Sequence, residues 1–185
     1  MPIETEEIQC NFVGSFKVGD NLVYNARLLS NLANANEGGI FNKPIVLQVG
    51  SILEVALEQI IYRAQNYNIE GVPKISKADQ QEITNKKIEK FCIIIDIMCK
   101  YKVLDDLGKE VYDELHRIRQ YRNKIHIQDN IKIEGVSQDE SVAFTDDICN
   151  WALALNLRVI RYISENLYRP QHIEGHVNSL TLPSM

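Results

Sequence analysis

Long apolar runs, paired cysteines and an excess of basic charge are all missing from this sequence, and each absence removes a class of protein. No uninterrupted apolar stretch reaches the roughly 20 residues that a membrane-spanning helix needs. The acidic start, Met1-Pro2-Ile3-Glu4-Thr5-Glu6-Glu7, is not the basic-then-apolar leader of a secreted chain. A cytoplasmic protein without a membrane partner is expected. The four cysteines, Cys10, Cys92, Cys99 and Cys149, contain no CxxC pair. Zinc ligands come grouped at short spacings, so these read as small core residues with free thiols. A net charge of -5 gives no overall attraction for a polyanion, and any nucleic-acid contact needs a local concentration of basic residues.

What is present is ordinary globular material: 185 residues, 45% apolar and 24% charged, enough to bury one core without covalent staples. Alternating segments are scarce. Ile8, Cys10 and Phe12 form a faint one, so residues 1–19 read as an extended lead-in. Helical spacing then takes over. Leu22, Ala26, Leu29 and Ala33 predict a first helix opened by Asp20 and stopped by Asn36-Glu37-Gly38-Gly39. Ile45, Val49, Ile52, Ala56, Ile60 and Ala64 predict a second, with Pro44 in its first turn. Ser76 and Asp79 resemble the cap of a third, whose apolar part runs from Ile88 to Met98. Val111, Leu115, Ile118 and Ile125 mark a fourth, ending near His126. Ile148, Trp151, Leu155, Val159 and Tyr162 mark a fifth, closed by Pro170. The expected fold is all-α, a single bundle of about five helices over residues 20–168, with 169–185 as a flexible tail.

One segment concentrates chemistry. Between Leu115 and Ile127 stand Arg117, Arg119, Arg122 and Lys124 with His116 and His126, and no acid. At 100 degrees per residue Arg122 falls inside the apolar stripe, with Arg119 and His126 along one margin. Spacings of three and four make Arg119, Arg122 and His126 neighbours on consecutive turns, a place where a phosphate can be held. Imidazole titrates near neutrality and can move a proton, whereas guanidinium donates hydrogen bonds and neutralises charge. Arg122 and Arg119 are therefore the candidate phosphate clamp and His126 the candidate acid/base, with Asn123, Lys124 and His116 as candidate substrate contacts. No acid cluster suited to magnesium accompanies them, so no metal and no cofactor is expected.

The stretch Leu115-His116-Arg117-Ile118-Arg119-Gln120-Tyr121-Arg122-Asn123-Lys124-Ile125-His126 resembles the signature of HEPN domains: an Arg, usually followed by a polar residue such as Asn, and a His a few residues on, near the end of a late helix. The resemblance implies an up-and-down helical bundle. It also implies a homodimer that sets two motifs against one cleft, and in active members a metal-independent endoribonuclease in which the RNA 2′-hydroxyl attacks the adjacent phosphate. Three residues separate Arg122 from His126, where family members usually have four to six. Arg119 has six between but is followed by Gln120, so either arginine can fill the family's role. Two functions stand open: an RNA-cutting toxin or defence effector, paired with an antitoxin-like protein, or a non-catalytic dimeric module that binds a protein or a nucleotide.

Other motifs have plainer readings. Arg122 can also pack its stem on the core and meet Glu54 or Glu58 of the second helix. His126 can simply favour the carbonyl end of its helix. The HxxxH of His172 and His176 lies beside Gly175 and Pro170, which disfavour the helix a metal site would need. Gly14-Ser15-Phe16 faintly suggests a nucleotidyltransferase loop but lacks paired aspartates, and Trp151 reads as a core or interface aromatic.

Overall fold

Helix α2 (Asn42–Asn66) organises the molecule, because its apolar residues are too many for one face. Besides the expected Ile45, Val49, Ile52, Ala56, Ile60 and Ala64, it buries Val46, Leu53, Leu57 and Ile61. A helix apolar nearly all round must be surrounded. It packs against α1 (Phe16–Asn34), α3 (Lys77–Thr84), α4 (Phe91–Lys100), α5 (Val111–Asn123) and α7 (Asp146–Asn166). This computed structural model describes residues 3–66, 72–84, 86, 88, 90–124, 134–170 and 178–184. By length and composition alone α2 could cross a membrane, but 61% of its apolar window is buried here, as the centre of a predominantly helical bundle.

The remaining helices follow the expected stripes with three differences. Helix α1 begins at Phe16, before Asp20, with Ser15 as its extended N-cap residue. The expected third helix is two: α3, opened by the reciprocal bonds of Ser76 and Asp79 (3.0 and 3.2 Å), and α4, whose preceding residue Lys90 is extended at φ -118, ψ 135. A four-residue helix, α6 (Glu140–Ala143), precedes α7. On α7, Leu155, Val159 and Tyr162 are buried as expected, while Ile148 and Trp151 are half-buried. Helix α5 buries Val111, Leu115 and Ile118, together with Tyr121. Of the thiols, Cys10 and Cys149 are buried, and burial pushes them up to about 12 and about 11. Cys99 is exposed and Cys92 half-buried, so the expectation of four core cysteines holds for two.

The chain ends are the larger correction. The lead-in contains strand β1 (Thr5–Gln9), and the segment expected as a flexible tail contains strand β2 (Ser179–Pro183), antiparallel to it with Ile8 opposite Leu180. Leu180 and Leu182 are fully buried and α1 supports the strand, its Ser30 Oγ donating to Thr181 O at 2.8 Å. Arg63, fully buried near the end of α2, donates to Phe12 O at 3.1 Å and to Leu167 O, tying the lead-in to the end of α7. Gly14, read above as a loop motif, is packing: an added Cβ would lie 2.6 Å from the Tyr62 ring. Leu180→Ala and Leu182→Ala should each lower unfolding free energy by about 2–5 kcal/mol in urea titration. Changes below about 0.5 kcal/mol for both would mean that β2 is not docked.

Candidate functional site

Helix α5 ends at Asn123, where Lys124 N–H turns back to Tyr121 O at 3.0 Å. His126, the candidate acid/base, lies outside the described residues, as do Ile125, His172, Glu174 and His176. The other candidates can be placed one by one.

Arg122 faces inward across α2, as its position in the apolar stripe requires. Its stem lies on Gly50, where an added Cβ would come within 3.0 Å of Arg122 Cβ and 3.3 Å of its Cδ. A larger side chain at 50 would push the arginine off the helix. Its guanidinium meets Glu54, one turn further along α2, at 2.5 Å. Glu54 was one of two acids the sequence offered for that contact. Its carboxylate also accepts the N–H of Phe91, the first residue of α4, so one side chain joins α2, α4 and α5. Burial raises the Glu54 pKa, and the attraction of Arg122 and the Phe91 N–H offset part of that rise. Arg122 stays one-third exposed, so a guanidinium is held in fixed register with one side open.

The remaining cations divide. Arg119, one turn before Arg122, is half-buried, and its Nε meets no hydrogen-bond partner among the described residues. Asn123 is half-buried beside them. Lys124 is buried and its Nζ donates to Ser137 O at 3.1 Å, which anchors the segment before α6 to the end of α5. His116 points to α4, 3.5 Å from Asp96. Lys124 and His116 thus each meet a partner of their own, Ser137 O and Asp96. Arg117, which was not singled out, stacks on Trp151 at 4.9 Å from the ring centroid. Trp151 Nε1 donates to Glu114 at 3.1 Å, and Glu114 pairs with Arg158. Among the described residues no three His, Cys, Asp or Glu side chains gather as a metal site would require.

Sequence reasoning missed Gly50, Asp96 and Ser137. A glycine within the apolar run of α2 is a signal for close approach of another element, but the sequence does not say which element arrives there.

The arrangement can fix a guanidinium against an approaching anion with little loss of side-chain entropy, since Glu54 and Gly50 already hold it. Arg122→Ala should cost about 1–3 kcal/mol at pH 7, because it leaves a half-buried carboxylate without its counter-charge. The sign with pH follows from the raised Glu54 pKa, which the substitution raises further. Protonated Glu54 is tolerated in the fold, so the deficit should be small near pH 4 and grow as pH rises through the folded pKa. Urea melts across pH check this, and Arg122→Ala/Glu54→Ala should lose less than the sum of its singles. No protein-family model, no curated protein and no solved structure matches this chain.

Proposed function

We propose that the end of α5, with the residues that follow it, is the cleavage site of a HEPN-type endoribonuclease that works as a homodimer and needs no metal. In this reading His126 takes the proton of an RNA 2′-hydroxyl as its oxygen forms a bond to the adjacent phosphorus. The bond from phosphorus to the 5′-oxygen breaks, and a proton is returned to that leaving oxygen. The products are a 2′,3′-cyclic phosphate end and a free 5′-hydroxyl. Arg122 and Arg119 carry the negative charge that builds on the phosphoryl oxygens, and Asn123 orients one of them. A cytoplasmic toxin or defence effector held in check by a protein antitoxin is the setting this chemistry suits.

One observation supports the reading above others: Arg122 is fixed by Glu54 and Gly50 yet keeps a third of its side chain exposed, one turn from the half-buried Arg119. The second reading, a dimeric module that binds without cutting, has its own support. Glu54 neutralises Arg122, and Lys124 is spent on Ser137 O, which weakens the local field available to a phosphate.

Incubation of the purified protein with mixed RNA and a chelator separates the two. Cleavage to cyclic-phosphate ends is expected from the native chain, with a fall of about 100-fold or more for His126→Ala and a smaller fall for Arg119→Ala. Identical RNA profiles for native protein and His126→Ala would leave the binding module.

A further inference from the structure

A cavity of about 420 Å³ lies between α1 and α2. Its walls are apolar: Val18 and Leu22 from α1, Ile52 and Val55 from α2. Its rim is polar and rich in acceptors. Glu58 offers a carboxylate, one oxygen of which already accepts Gln59 Nε2 at 2.7 Å while the other remains for a ligand, and Ser51 has spent its proton on Leu47 O at 3.1 Å, leaving only lone pairs. Asn21 adds an amide that makes no side-chain hydrogen bond among the described residues.

Two side-chain bridges fix the spacing of α1 and α2 around it. At one end Gln48 Nε2 of α2 reaches Asn25 Oδ1 of α1 at 2.7 Å. At the other, Gln59 Oε1 accepts the N–H groups of Gly14 and Ser15 at 3.0 and 2.8 Å, setting the start of α1 against α2. Helices that close on one another lose such space, because an unfilled apolar void is costly. This one stays open, and its size suits a small organic ligand.

Its position names the ligand. Ser51, Glu54, Val55 and Glu58 share an arc of about 100 degrees on α2. The cavity therefore borders the strip that carries Glu54, and with it the Arg122 guanidinium. A ligand with a flat apolar ring and an attached anionic group meets both. We infer that the α1–α2 cavity takes a nucleobase of the bound RNA, one carrying an exocyclic amino group, while its phosphate lies toward Arg122. The acceptor-rich rim sets that preference: adenine, guanine and cytosine bring exocyclic amino groups with two donors to Glu58, whereas uracil brings only the single N3–H between two carbonyl acceptors. This inference rests on the reading of the α5 end as an RNA site, and it deepens that reading by naming what lies beside the phosphate.

Equilibrium binding of AMP, GMP, CMP and UMP to the full chain, with chelator present, tests it without any cleavage step. The three amino-bearing nucleotides should bind at least about tenfold more tightly than UMP. Val55→Phe, which fills the cavity, should abolish binding without lowering the melting temperature, and Glu58→Gln should shrink the discrimination against UMP. If Val55→Phe does not fold, Ser51→Ile fills the same space from a half-buried position. Equal binding of UMP, or binding untouched in a folded cavity-filling variant, overturns the inference. So does the absence of binding at millimolar nucleotide; RNA still cut by the same preparation would then leave the ribonuclease reading intact. Selective nucleotide binding without RNA cleavage would support the cavity and remove the cleavage reading instead.

Discussion

A helix enclosed by five neighbours can bury a polar side chain at low cost only where a neighbour supplies the matching group, and Asn42, Glu54, Gln59 and Arg63 of α2 each find one. Asn42 donates to Phe144 O and Asp146 at the start of α7. Glu54 answers Arg122 and Phe91. Gln59 holds Gly14 and Ser15, and Arg63 holds Phe12 and Leu167. Burying any of these without its partner would cost on the order of 1–3 kcal/mol, and more for the charged pair. These four residues of α2 are thus connectors, each fixing its neighbours at one level of the central helix.

Connectors of this kind specify arrangement more than they add stability. An ion pair taken partly out of water roughly offsets its own desolvation, and the raised pKa of Glu54 shows burial outweighing its partners' attraction. What the pair does contribute is register. Arg122 cannot slide along α2 without losing both the carboxylate and the space that Gly50 leaves for its stem. That register carries the functional interest of the α5 terminus, because a fixed guanidinium is useful to a developing anion only if its position is set before the anion arrives.

The same logic explains the division among the α5 cations. Arg117, Arg119, Arg122, Lys124 and His116 look alike on a helical wheel as a basic cluster. In three dimensions they serve different neighbours: Trp151 for Arg117, Glu54 for Arg122, Ser137 for Lys124 and Asp96 for His116. Acids brought in by α2 and α4 thin a field that the local sequence made look strongly positive. Arg119 alone of the five is half-buried with a buried Nε that meets no hydrogen-bond partner among the described residues.

Periodicity within one segment was legible from the residues alone. The apolar stripes of α1, α2, α5 and much of α7, the Ser76–Asp79 cap and the inward facing of Arg122 depend on spacings of three and four, and these are local properties. The break between α3 and α4 was not legible, since Ile88 to Met98 reads as one run until the extended Lys90 is seen. Nor was strand β2, whose partner lies at the other end of the chain and which has too few residues to announce itself. Which of two glutamates meets Arg122, which helix passes over Gly50, and where α1 and α2 stand apart were decided only by tertiary structure. Those are contacts between segments distant in sequence, and a side chain's type limits its partners without choosing among them.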